Sequence, residues 1–277
     1  MVMTLELDGP LVLAGAGKMG GALLAGWLTG GLDPSMVVVQ DPSPSPETAE
    51  LLRRHGIRCV ASLAPLERSP AVILAAVKPQ AMDTVFPPLA KMVGPDTLIL
   101  SIAAGRPLAS FEAYLAAPGP VIRAMPNTPA AIGRGITVCV GNAAAGDRHR
   151  AIAGQLLAAV GDVAWIGDEA QMDAVTAVSG SGPAYVFLLA EALTDAGVRQ
   201  GLPPELAAEL ARATVAGAGE LMRRSSDSAA RLRENVTSPG GTTAAALGVL
   251  MREPGGLRDL LAEAVAAATK RGRELSG

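Results

Sequence analysis

The sequence predicts an α/β fold in which a mostly parallel sheet covered by helices is followed by an all-helical second domain. Three observations support this. Short apolar runs alternate with helical stretches over the first 167 residues, the pattern of strands joined by helical crossovers. Those runs read as continuously apolar rather than alternating, as expected of strands buried on both faces. After Gly167 no β-rich run reappears and the remainder reads as helix. A boundary near 167 follows, dividing the chain into residues 1–167 and 168–277.

Leu11-Val12-Leu13 reads as the first strand. A run containing Leu23, Leu24, Trp27 and Leu28 follows, and Gly30-Gly31 ends that helix. Val37-Val38-Val39 is the second strand. Ser45-Pro46-Glu47 supplies an N-cap, a proline at the first helical position and a first-turn carboxylate, for a helix ending at His55-Gly56. Further strands are expected at 57–60, 71–77, 97–101, 121–124, 136–140 and 163–166. Helices are expected at 169–178, 183–196, 203–223, 242–251 and 257–274. In the last of these Leu257, Leu260, Leu261, Ala264, Val265 and Ala268 form one apolar face.

Composition limits the function. The 277 residues carry 23 basic and 26 acidic side chains, a net charge of −3, and only two Trp, two Tyr and three Phe. A nucleic-acid surface needs a basic patch and stacking rings, and the sequence supplies neither. The most apolar stretch, 71–77, is of strand length, far below the roughly 20 residues of a membrane-spanning helix. The acidic amino terminus gives no secretory signal, and two isolated cysteines, Cys59 and Cys139, point to a reduced, cytoplasmic setting. Those cysteines and the scattered His55 and His149 lack metal-site spacing, so no metal is expected. The apolar bulk is largely Ala and Gly, which offers little bulky surface per residue.

Several segments carry chemistry. Gly15-Ala16-Gly17-Lys18-Met19-Gly20 fits the G-x-G-x-x-G fingerprint between a strand and a helix. Its glycines serve a tight turn, backbone approach to a pyrophosphate, and close helix–strand packing, with phosphate on the helix N-terminus. Asp41-Pro42 stands 21 residues beyond Gly20, at the end of the second strand. A carboxylate there suits the ribose 2′-hydroxyl of NAD, and no basic residue lies between Gln40 and Thr48; the alternative is a turn residue facing solvent. The cofactor is NADPH or NADH. Ala76-Val77-Lys78-Pro79 and Ala103-Ala104-Gly105 leave successive strands at the ends where such sheets bind ligands, although Lys78 also fits a solvated loop. Asn127, in a loop stiffened by Pro126 and Pro129, offers an amide suited to a carboxamide or to a plain turn.

In the helical half, Gly180-Ser181-Gly182 imitates a nucleophile elbow, but a helix precedes it and no histidine follows His149, which excludes a hydrolase. Ser238-Pro239-Gly240-Gly241-Thr242-Thr243 opens a helix with several outward N–H groups, a cradle for a carboxylate, or a capping loop without a ligand.

Together these segments resemble the pyrroline-5-carboxylate reductase family over nearly the whole chain. The runs Asp173–Tyr185 and Ser238–Thr243 are the family-specific ones. The resemblance implies a Rossmann domain, then a helical domain that builds an interlocked dimer, often a ring of dimers. It implies NAD(P)H-dependent reduction of a cyclic imine carboxylate to L-proline. The small-molecule substrate's carboxylate would meet Ser238, Gly240, Gly241 and Thr242, the imine nitrogen would meet Thr243 as the catalytic group, and Glu169 would approach the substrate. Each substrate site is expected to combine the fingerprint domain of one subunit with the Gly-Gly-Thr-Thr loop of the other. A β-hydroxyacid dehydrogenase would need a lysine in the helical half, and 169–256 contains none. A non-enzymatic NAD(P) sensor would show a degraded substrate loop, and Ser238–Thr243 is intact.

Overall fold

The expected strands assemble into one eight-stranded sheet in a computed structural model that describes residues 7–276. The strands are β1 (Leu11–Ala14), β2 (Val37–Gln40), β3 (Arg58–Val60), β4 (Val72–Ala75), β5 (Leu98–Ser101), β6 (Val121–Met125), β7 (Gly135–Gly141) and β8 (Gly161–Trp165). Their order is β3-β2-β1-β4-β5-β6-β7-β8. β3 through β6 are parallel, β7 runs antiparallel to β6, and β8 is parallel to β7. The order reverses between β1 and β4, and the carboxyl ends of the strands at such a reversal are where sheets of this kind bind ligands.

Double-sided burial holds for β1, β4 and β5, whose residues are all buried. It does not extend to the edges: β3 and β8 are half-buried or exposed, because an edge strand has a neighbour on one side only. Alternate residues of β1 feed opposite faces. Leu11 and Leu13 join a core with Leu23, Leu24 and Trp27 of α1 (Lys18–Thr29), Leu52 of α2 (Pro46–Arg54) and, further along, Leu156. Val12 and Ala14 join Phe86 of α3 (Met82–Ala90) and Phe111 of α4 (Leu108–Glu112), whose rings meet edge to face at 5.2 Å. Leu156 belongs to α5 (Asp147–Ala158), and its carbonyl accepts the buried Trp27 indole N–H at 2.7 Å. α2 is capped as its sequence indicates, with Ser45 Oγ accepting the Thr48 N–H at 3.2 Å.

The stretch expected as one helix over 169–178 forms three kinds of turn instead. A 3₁₀ turn at Glu169–Gln171 leads into α6 (Met172–Val175) and then a π-helical turn at Thr176–Gly180. Met172 is buried in the Phe86–Phe111 core, and the Thr176 and Ser179 hydroxyls bond back to the carbonyls of Met172 and Val175. Gly180 lies so close to Met125 that an added Cβ would stand 2.7 Å from its Cε. The stretch therefore packs with the sheet. Packing divides the chain between Gly180 and Ser181, later than the change of sequence character near 167, and the end of the last helix from Thr269 also joins the sheet unit.

The second unit, Ser181–Ala268, contains α7 (Gly182–Arg199), α8 (Pro204–Arg224), α9 (Ala229–Asn235), α10 (Thr242–Leu250) and most of α11 (Leu257–Ser276). Gly197 lets α7 approach α8 closely: an added Cβ would lie 3.2 Å from that of Ala207. Among the described residues of this unit only Ala207, Ala211 and Gly256 are buried. The apolar face of α11 is outward, with Leu260 58% exposed. Among the described residues no helix is long and apolar enough to cross a membrane, and no cluster of His, Cys, Asp or Glu is arranged to hold a metal.

Candidate functional site

The fingerprint turn begins where β1 ends. Gly15 adopts φ +96° and donates its N–H to the Gln40 carbonyl at 2.9 Å, while a Cβ on it would lie 2.6 Å from the Ala76 carbonyl oxygen. Both its conformation and its closeness to the end of β4 require glycine. Gly20 is required by packing, since a Cβ there would run into the Gly15 carbonyl. Gly17 is different. It is exposed, its φ is −71°, and a Cβ would meet nothing within 4 Å. It caps α1 without any side-chain hydrogen bond, so the first N–H groups of the helix stay open beside empty space. That arrangement fits the diphosphate of a dinucleotide. Lys18, also exposed, and half-buried Met19 form the first turn.

Asp41 follows β2 beside this turn. Its Oδ2 accepts the Ala16 N–H at 2.6 Å and its Oδ1 the Ser43 N–H at 2.7 Å; Pro42 next to it is exposed. After β4, half-buried Ala76 and Val77 lead to exposed Lys78 and to Pro79, which opens a 3₁₀ turn. After β5, Ser101 Oγ accepts the Ala103 N–H, and Ala104 leads to Gly105 at φ +71°. Arg106, unremarked in the sequence, joins these two loops. Its guanidinium donates to the Pro79 carbonyl at 3.0 Å and to Asp83 Oδ2 at 2.6 Å, and the Tyr114 hydroxyl donates to the other oxygen of Asp83. Arg106, then Tyr114, hold the Asp83 carboxyl below the usual carboxylate range. Asn127 follows β6, and its Oδ1 accepts the Ile136 N–H at 3.0 Å, leaving Nδ2 unpartnered among the described residues. The fingerprint, Asp41-Pro42, Ala76–Pro79, Ala103–Gly105 and Asn127 thus gather at the carboxyl ends of β2, β1, β4, β5 and β6, which neighbour one another in that order.

Glu169 has a structural duty in the same unit. Its Oε1 accepts from Arg123 Nη1 at 2.9 Å and from the Leu108 N–H at 2.9 Å. Arg123 is a guanidinium buried in β6, 5% exposed, and Glu169 is its ion-pair partner. The signal available in the sequence was an arginine inside an apolar strand, which demands a carboxylate.

In the helical unit, Ser238 and Gly240 are exposed, and Gly240 takes φ +69°. The Gly241 N–H turns back to the Ser238 carbonyl at 3.0 Å, and Gly241 caps α10 with no side-chain hydrogen bond and no acidic residue in the first turn. Exposed Thr242 and half-buried Thr243 follow. The open N–H groups of this turn suit a carboxylate, and the Thr243 hydroxyl is free of any capping role.

Comparison with known proteins bears on both units. The family model for pyrroline-5-carboxylate reductase dimerisation matches residues 169–275, and one described as NADP oxidoreductase, coenzyme F420-dependent, matches 11–105. The chain is 43% identical over 266 residues to the pyrroline-5-carboxylate reductase of Pseudomonas aeruginosa, covering 96% of each. It belongs to the pyrroline-5-carboxylate reductase family. Among solved structures, the pyrroline-5-carboxylate reductase of Coxiella burnetii superposes with a TM-score of 0.87 at 33% identity, covering 97% of this chain and 99% of that one. The Plasmodium falciparum pyrroline carboxylate reductase, with NADP bound, gives 0.79 at 27% identity, covering 99% and 100%. The reductase family thus accounts for the whole α/β-plus-helical plan, with the oxidoreductase match on the fingerprint half and the dimerisation match on the helical half.

Proposed function

We infer that this reductase converts 1-pyrroline-5-carboxylate to L-proline, the last step of proline biosynthesis, using NADPH or NADH. What carries the inference is full-length membership of the family with both ligand loops intact, Gly15–Gly20 and Ser238–Thr243. The nicotinamide cofactor supplies the hydride when bound. In this reading the N–H groups at Gly17, Lys18 and Met19 hold the diphosphate, and Asp41 and Pro42 border the adenosine ribose. Ala76–Pro79 and Ala103–Gly105 line the crevice, and the Asn127 amide meets the carboxamide.

The Ser238 hydroxyl and the N–H groups of Gly240, Gly241 and Thr242 grip the substrate carboxylate. The Thr243 hydroxyl, both donor and acceptor, attends the imine nitrogen as it becomes an amine. Holding the reacting carbon and nitrogen in fixed orientation accounts for much of the rate enhancement. Glu169 approaches the substrate while bracing Arg123. The enzyme works as a homodimer or ring of dimers in the cytoplasm. That reading draws on the dimerisation match, the outward apolar side chains of the helical unit and the two separate cysteines.

The test is oxidation of NADH or NADPH by the purified protein with 1-pyrroline-5-carboxylate, against a β-hydroxyacid with NAD as control. Turnover is expected with the first and none with the second. Thr243→Val keeps the shape and removes the hydroxyl. A fall of about 10–1000-fold is expected in kcat as well as kcat/KM, with an unchanged melting temperature. Wild-type kcat in a folded valine variant would remove Thr243 from the mechanism.

A further inference from the structure

We propose that this enzyme selects NADH over NADPH and that Asp41 decides the choice. The proposal rests on the cofactor site described above and adds which of the two cofactors it is built for.

The selection turns on where the Asp41 carboxylate is held. A loop carboxylate free to rotate can swing away from an incoming anion. This one is fixed by two short bonds, Ala16 N–H to Oδ2 at 2.6 Å and Ser43 N–H to Oδ1 at 2.7 Å. Its backbone is fixed as well, through the Asp41 N–H to the Val60 carbonyl at 3.0 Å. The negative charge therefore stands against the second residue of the fingerprint, at the end of the second strand, where the adenosine ribose of a dinucleotide lies. Each oxygen keeps a lone pair, so the carboxylate can accept from both ribose hydroxyls. A 2′-phosphate offers that carboxylate only further acceptor oxygens and up to two more negative charges.

Compensating cations are scarce around this point. No basic residue lies between Gln40 and Thr48. Arg53 and Arg54 end α2 and pair with Glu50 at 2.6 and 3.7 Å. Arg58 starts β3 level with Val38, two residues short of the strand's carboxyl end. Arg68, the next basic residue, donates to the Asp8 carbonyl. Gln40, the other polar side chain at the strand end, is buried, its Oε1 occupied by the Leu63 N–H at 2.9 Å. Lys18 remains, but Glu47 in the first turn of α2 shares its field. Asp41 and Glu47 against Lys18 leave one net negative charge before any phosphate arrives. The Plasmodium falciparum relative carries NADP on the same fold, so the fold itself does not set the preference.

The experiment measures NADH and NADPH binding to the full-length protein without substrate, by fluorescence titration, and then kcat/KM for each with 1-pyrroline-5-carboxylate. NADH is expected to be favoured at least about tenfold in both, the ratio shrinking as salt screens the repulsion. Asp41→Ser is expected to lower the NADH:NADPH ratio by about tenfold or more. Asp41→Asn, which keeps a side-chain oxygen for one of the two N–H groups, serves if the serine variant does not fold. Wild-type protein that prefers NADPH, or a folded variant with an unchanged ratio, overturns the proposal. NADH-selective binding without reduction of the pyrroline leaves the proposal standing and overturns the proposed function instead; failure to bind either cofactor overturns both.

Discussion

Gly17 is a glycine that its own chain does not require. Its φ is ordinary and a side chain there would touch no protein atom, in contrast with Gly15 and Gly20, whose replacements meet backbone. Gly17→Val is therefore expected to fold with a melting temperature near that of the wild type and to lose cofactor affinity by about 100-fold or more, since the branched side chain fills the open space proposed for the diphosphate. Unchanged affinity in a folded Gly17→Val protein, read by the same titration, would place the diphosphate elsewhere. Glu169 poses the opposite problem, because its position is explained without any substrate. Glu169→Ala strands a buried guanidinium and is expected to cost roughly 3–5 kcal/mol of stability. Glu169→Gln keeps an acceptor for both Arg123 and the Leu108 N–H but not the counter-charge, so part of the stability should return, enough for assay of the folded variant. A loss of kcat/KM that persists in the stable glutamine variant marks contact with substrate; full activity there reduces Glu169 to a brace.

The loops that follow β4 and β5 act together because Arg106 ties them. Its guanidinium spans the Pro79 carbonyl and Asp83, and Asp83 is held in turn by Tyr114, whose ring packs against Phe86 at a centroid distance of 5.4 Å. Arg106→Ala is expected to raise the cofactor KM roughly three- to tenfold while kcat and the melting temperature change little, since the residue sits at the rim of the core. Arg106→Lys restores only part, because a single ammonium does not span both acceptors with the same geometry. Unchanged cofactor KM in Arg106→Ala would show that the loops hold themselves. Asp83 is lowered in the folded protein, so its contribution is complete above the ordinary carboxylate range and fades only as the pH falls through its depressed value. The tie therefore persists across neutral pH. Such a tie is invisible in sequence, where Arg106 stands 27 residues from Pro79 and 23 from Asp83. What is legible is local: the eight strands from apolar runs, the α2 cap from Ser45-Pro46-Glu47, the fingerprint from its glycine spacing. The split of 169–180 into 3₁₀, α and π turns was not legible, because the burial of Met172 depends on Phe86 and Phe111, far away in the chain.

At the scale of the whole molecule, the two units differ in how they bury their apolar side chains. The sheet unit has two filled cores. Among the described residues of the helical unit only two alanines and a glycine are buried, while Phe187 is 65% exposed and Leu188, Leu260 and Val249 are similarly bare. Apolar surface on that scale is unusual for a stable monomer, and with the dimerisation-family match over residues 169–275 a second copy of the chain is its expected partner. Sedimentation at assay concentration should therefore show a dimer or a multiple of it, and Phe187→Asp combined with Leu260→Asp should yield monomer or aggregate with loss of activity. An active monomer would overturn the dimer. Mixing two defective variants tests how subunits share a site. If the fingerprint of one subunit serves the Thr243 loop of the other, a mixed dimer of Gly17→Val and Thr243→Val protomers has one site with both loops intact and one doubly impaired. Activity should then rise after subunit exchange, above that of either variant alone. If each subunit supplies both loops to its own site, every site in the mixed dimer carries one lesion and mixing restores nothing.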